Sequence, residues 1–185
     1  MSLRLMPLAG FAAVIFPVSA LLSQGSPPPT FSVAAGLSTA TGTFGSRVNA
    51  GYALGASAAF PQPGGAFAVR LEAAYSSFAN TDVTGNTQIT SLDVDAVFGP
   101  SNATSRPATG SPQSGPFLIA GVGLYNVSEP DPIYVQNDYS NDIGFNIGGG
   151  YRFELSGFTA YLEARYHTVS NTDYRFVPIM FGVTF

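Results

Sequence analysis

The chain has 185 residues, 45 % of them hydrophobic and 13 % aromatic, with a formal charge of −4, no Cys and no Lys. That length suits one domain with a sizeable core; lack of Cys excludes disulfides and thiol chemistry, and an acidic chain without lysine lacks the basic patch that nucleic acid demands. Charged residues are only 10 %, against about 25 % in typical soluble domains, which implies a large outer area facing something other than water.

Residues 1–20 carry one cation, Arg4, before an apolar stretch interrupted by Pro7 and Pro17 and ending at the small-residue site Val18-Ser19-Ala20. This reads as a signal peptide cleaved after about Ala20, and the two prolines argue against a spanning helix. Residues 21–30, with Ser26-Pro27-Pro28-Pro29, form a stiff extended lead-in. Residues 31–185 then divide into eight candidate strands at 31–41, 47–60, 66–78, 87–98, 116–127, 142–155, 158–169 and 174–185. Each is about long enough to cross an outer membrane, and the connections between them are rich in Gly, Pro, Ser, Asn and Asp.

Alternation is the stronger sign, because a strand repeats every two residues. The second strand opposes Val48, Ala50, Tyr52, Leu54, Ala56, Ala58 and Phe60 to Arg47, Asn49 and Ser57. The third sets Phe67, Val69, Leu71, Ala73 and Tyr75 against Arg70 and Glu72, and the fourth sets Leu92, Val94, Ala96 and Phe98 against Asp93 and Asp95. In the fifth, Phe117, Ile119 and Tyr125 compete with Leu118, Ala120, Val122 and Leu124, and Gly121 and Gly123 leave the choice open. The sixth places Ile143, Phe145, Ile147, Tyr151, Phe153 and Leu155 opposite Asn146, Arg152 and Glu154; the seventh places Phe158, Ala160, Leu162, Ala164 and Tyr166 opposite Tyr161, Glu163, Arg165 and His167. In the last strand Val177, Ile179, Phe181, Val183 and Phe185 share one face.

Alternation alone does not say which face is inside, but aromatic height does. Phe60, Phe67, Phe98, Phe153, Phe158 and Phe185 fall near one end of the strands, and Tyr75, Phe145 and Tyr166 near the other. Two aromatic rings around a band of Ala, Val, Leu and Ile are the pattern of interfacial girdles on a lipid-facing barrel, whereas a soluble core has no reason to sort aromatics by height. The fold expected is all-β, an eight-stranded antiparallel up-and-down transmembrane β-barrel, with the second, fourth and sixth connections and both ends of the chain on the periplasmic side.

The strand Tyr161-Leu162-Glu163-Ala164-Arg165-Tyr166 and the ending Val177 to Phe185 resemble the small eight-stranded outer-membrane barrel family, the OmpA transmembrane domain, OmpX and Opa-like group. The resemblance implies a bacterial outer-membrane protein, export through the periplasm, and a terminal insertion signal of Val177, Ile179, Phe181, Val183 and Phe185 read by the outer-membrane insertion machinery. It also implies an interior network of Arg and carboxylates. One departure is the long connection 99–115, where the family has a tight turn.

Arg70, Glu72, Asp93, Asp95, Arg152, Glu154, Glu163 and Arg165 all point inward on this reading, with Arg47 and His167 nearer the extracellular rim. Eight strands enclose only enough width for side chains to fill, so these charges should pair and plug the lumen. A narrow ion path gated by the same pairs is the alternative. Asp93 and Asp95 share a face and invite acid/base or cation chemistry, but balance the arginines equally well. Tyr166-His167-Thr168-Val169-Ser170-Asn171 superficially resembles the His-x-Ser-Asn run of lipid A deacylases, which would make the protein a lipid A-modifying acyl hydrolase. The spacing is wrong, since residues three apart on a strand point oppositely and a nucleophile must touch its base. The expectation is therefore a monomeric, non-enzymatic envelope-structural or adhesion scaffold without cofactor, metal or nucleic acid. Its partners would be outer-membrane lipid, lipopolysaccharide and a surface ligand met by extracellular loops such as 128–135.

Overall fold

The computed structural model describes residues 28–62, 67–99, 114–130, 137–155 and 158–185. It is a closed antiparallel barrel in which each strand pairs with its sequence neighbours and the last with the first. The strands are β1 (Thr30–Ala40), β2 (Gly51–Pro61), β3 (Phe67–Ala79), β4 (Asn86–Phe98), β5 (Gly115–Pro130), β6 (Asn137–Leu155), β7 (Phe158–Val169) and β8 (Arg175–Thr184). Closure is β1 against β8, with Val33 opposite Val183 and Leu37 opposite Ile179. Reciprocal backbone bonds between Phe31 and Phe185, 3.1 and 2.9 Å, fasten one end of that seam. Closing the sheet leaves no edge strand in the wall, which is what a span through hydrocarbon requires.

The apolar faces point outward. Leu37, Leu118 and Ile147 are 69, 68 and 63 % exposed, and Phe145, Leu162 and Phe181 lie on the same surface, while Arg70, Glu163 and Arg165 are buried inside. A water-soluble barrel is built the other way round. Phe31, Phe67, Phe98, Phe153, Phe158 and Phe185 stand on the outer wall toward the end that holds Phe31 and Phe185, hereafter the terminus end. Tyr52, Phe145 and Tyr166 stand toward the opposite, far end.

Two expectations need correction, and one open choice is decided. Residues 47–50 do not extend the second strand. After a short helix α1 (Gly42–Gly45) the chain makes a turn, and β2 starts only at Gly51. Val48 consequently points in, not out, and is 6 % exposed, beside Phe44 in the apolar cluster at the far end. The physical reason is that the turn after α1 carries Val48 to an isolated bridge with Asn80, where its side chain joins Phe44 in filling the barrel mouth. Second, both described ends of the connection 128–141 are strand: Ser128, Glu129 and Pro130 pair with Tyr139, Asp138 and Asn137, so β5 and β6 run on past the expected ends. The open choice, β5, resolves toward Leu118, Ala120, Val122 and Leu124 outside, with Phe117, Ile119, Tyr125 and Val127 buried within. The signal peptide and most of the 99–115 connection lie outside the described residues.

Candidate functional site in the barrel lumen

The lumen is filled in three levels. At the far end Phe44, Val48, Phe78, Ile89, Val127, Val169 and Phe176 form one apolar cluster. Phe44 meets the rings of Phe78 and Tyr174 edge-on at 5.2 and 5.1 Å. At the terminus end Val97, Phe117, Ile119 and Tyr161 form a second cluster. Between them sits the charged level.

Its heart is a closed ring. The Arg70 guanidinium donates to both carboxylate oxygens of Glu163, at 2.8 and 3.0 Å, and lies 3.3 Å from Glu72. Arg165 pairs with Glu72 through Nη2 and stands 2.7 Å from Glu163 through Nε, although that N–H is not aligned as a hydrogen bond. Asp95 bridges the two arginines across the ring, 3.4 Å from Arg70 and 3.3 Å from Arg165. Register explains the convergence: Arg70 is opposite Asp95, and Glu72 opposite Asp93, on β3 and β4. Bidentate, multiply shared pairs of this kind are what makes charge tolerable away from water.

Asp93 is held differently. It makes no ion pair among the described residues; instead Ser91 donates at 2.6 Å, Tyr125 at 2.8 Å and Asn146 at 3.2 Å. Asn146 also donates to Asp95 at 2.9 Å, which joins Asp93 to the ring. Tyr125 Oη lies 2.8 Å from His167 Nδ1 as well. The phenol has one proton, and it donates that proton to Asp93. With that proton on the Asp93 side, His167 Nδ1 carries its own hydrogen and donates to the phenol oxygen. Nε2 is then a bare acceptor, and it has no partner among the described residues. The imidazole stacks on Phe176 at 4.8 Å and 12°.

Gly121 and Gly123 give this arrangement its room. They face Asp95 and Asp93 across the β4–β5 pair, and a Cβ on either would collide with the carboxylate oxygen opposite. Gly148 and Gly150 serve similarly beside Arg165 and Phe117.

The ring thus brings together Arg70, Glu72, Asp95, Glu163 and Arg165, with Asp93 attached through hydrogen bonds. It does not include Arg152 or Glu154, which make no ion pair among the described residues. They belong to the last residues of β6, nearer the terminus end, and both are half-buried. Sequence reasoning did not include Ser91, Tyr125 and Asn146 in the network; inward parity was available for Ser91 and Asn146 but open for Tyr125, and the meeting point of the three was legible for none. His167 and Ser170 are not brought together: His167 is 2 % exposed inside, whereas the backbone N–H of Ser170 is engaged with Ile143 beyond the end of β7. Among the described residues no group of three or more His, Asp or Glu is arranged to hold a metal ion.

At the far rim Arg47 stacks over Phe44 and Tyr174 at 5.9 Å and reaches within 4.0 Å of Glu129. Burial, then the Glu129 carboxylate beside it, holds the Tyr174 phenol well above its ordinary range. Val177, Ile179, Phe181, Val183 and Phe185 all face outward on β8.

No family model and no curated protein matches the chain. Solved structures do match. Neisserial surface protein A is similar over 87 % of this chain and 98 % of its own, at 16 % identity and a TM-score of 0.61. The N-terminal β-barrel domain of Pseudomonas aeruginosa OprF matches over 86 % and 99 %, at 18 % identity and a TM-score of 0.50. The attachment invasion locus protein Ail of Yersinia pestis matches over 84 % and 98 %, at 13 % identity and a TM-score of 0.51. These neighbours are small eight-stranded outer-membrane barrels, and the chain shares their fold.

Proposed function

We propose that the protein is a bacterial outer-membrane scaffold with a sealed lumen, delivered by a cleaved signal peptide. On this reading the terminus end faces the periplasm, and the work is done by what the barrel displays outside: envelope support, adhesion or docking of a surface ligand. The observation that carries it is the inverted wall, apolar outside and ionic inside, stoppered at each end by an apolar cluster. An apolar wall needs acyl chains around it, and a filled lumen leaves a rigid support for loops. Val177, Ile179, Phe181, Val183 and Phe185 act as the insertion signal, and lipopolysaccharide meets the outer leaflet side of the wall. No catalytic group is needed, since His167 is enclosed where no lipid substrate reaches.

Fractionation and gel mobility test the placement. The protein should sediment with outer membranes and migrate faster in detergent before heating than after; a soluble fraction with one heat-insensitive band overturns it. Planar-bilayer recording tests the seal, with steady single-channel steps as the result against it. The display role is tested by removing 131–136, because Ser128, Glu129 and Pro130 are paired wall residues. The shortened barrel should fold and lose surface binding.

A further inference from the structure

We propose that the terminus end of the lumen holds one halide-sized anion on Arg152. Three observations converge there. Arg152 makes no ion pair among the described residues, and its Nε is buried without a hydrogen-bond partner. Arg152 also borders a small enclosed cavity of about 20 Å³, whose walls include Arg70, Tyr161, Thr30, Ser32 and Phe117. The polar groups on that wall are donors or hydroxyls that rotate to donate: two guanidinium groups, a phenol and two alcohols.

Arg152 is half-buried, but its unpartnered Nε is shut off from water, and a desolvated donor on a cation carries a cost that a bound anion offsets. The carboxylates nearest in the fold are otherwise engaged or out of reach. Glu163 and Glu72 are shared between Arg70 and Arg165. Glu154, two residues along on the same side of β6, is not within ion-pair distance of Arg152. The cavity has room for about one water-sized body, which suits a monatomic anion and excludes tetrahedral oxyanions. Phe117 and Tyr161, edge-on at 6.4 Å, form its apolar side, and Arg70, held by its own carboxylates in the ring, closes another. The anion would be a local partner for Arg152, at the end of the lumen where no carboxylate reaches that guanidinium among the described residues.

The test uses the full barrel, refolded in zwitterionic detergent and unfolded by heat in sodium chloride, sodium bromide or sodium gluconate at equal ionic strength. The midpoint should rise saturably in the two halides relative to gluconate, and Arg152→Met should abolish the rise while Arg47→Ala, at the opposite rim, keeps it. Equal midpoints in all three salts overturn the proposal, as does a rise that survives Arg152→Met. A halide effect seen only in Glu154→Gln also overturns it, because Glu154 would then be the native counter-charge. Should Arg152→Met fail to fold, bromide-soaked crystals of the unaltered barrel decide: an anomalous peak within hydrogen-bond distance of the Arg152 guanidinium supports the site, and none there refutes it.

Discussion

Arginine is treated in two ways within one lumen. In the middle, Arg70 and Arg165 each contact three carboxylates, Glu72, Asp95 and Glu163, and both are less than a tenth exposed. Near the terminus end, Arg152 contacts none among the described residues and is only half-buried. The difference follows distance from water. Deep in the barrel a charge survives as a member of a ring that satisfies most of its valences, whereas close to the mouth solvent or a mobile ion does the same service.

The harshest way to break that comparison is to open the ring. Glu163→Ala leaves Arg70 without its bidentate partner and should cost about 3–5 kcal/mol, the range for stripping one side from a buried pair. Urea unfolding of the refolded barrel, followed by circular dichroism, measures it. A loss below about 1 kcal/mol, typical of exposed pairs, would mean that water already reaches the ring and that the mid-lumen is no different from its end.

The wall gives the next effect. Val122 faces outward near the middle of β5, 49 % exposed, directly behind the ring. Val122→Arg should destabilise insertion by about 2–4 kcal/mol, the midplane range for a cation on a lipid-facing barrel surface. Equilibrium folding into lipid vesicles reads this directly. An unchanged folding free energy would be the behaviour of a solvent-facing position and would remove the membrane from the argument.

Tyr125→Phe sharpens the contrast between Asp93 and the ring. It keeps the ring of atoms packed but takes a hydroxyl from Asp93 and from His167 Nδ1 together. Leaving buried polar groups short of a partner costs about 1–3 kcal/mol. Because Ser91 and Asn146 still donate to Asp93, the loss should stay below that of Glu163→Ala in the same urea series. The reverse ranking would make hydrogen bonds, not ion pairs, the main support of the charged level.

Much of this was legible before any coordinates. The strict alternation of residues 143–155 and 158–167 fixed both the strands and the side that each residue shows, and aromatic height oriented the wall. The failures have physical causes. Val48 lies beyond the end of α1 at Gly45, yet it falls in step with Ala50 and Tyr52, so the apolar pattern continued smoothly through a turn. In β5 the inner face carries Gly121 and Gly123 opposite Asp95 and Asp93, so the residues that make room for the carboxylates there have no side chain to announce it. Which inward charges meet depends on register and on barrel shear, and neither is written in a single strand. That is why Arg152 and Arg165, alike in parity, end with different surroundings.

Arg152→Gln yields the smallest effect and the most discriminating one. In gluconate the substitution removes a half-buried cation that makes no ion pair among the described residues, so the unfolding free energy should be unchanged or rise by no more than about 0.5 kcal/mol. Glutamine retains length and donors, so packing against the cavity is largely kept. In chloride the same variant should fall behind the unaltered barrel, because only the latter gains from a ligand bound to the folded state. Two salts therefore separate a merely half-exposed arginine from a ligand-holding one: the first predicts the same small difference in both, the second a gap that opens with halide concentration.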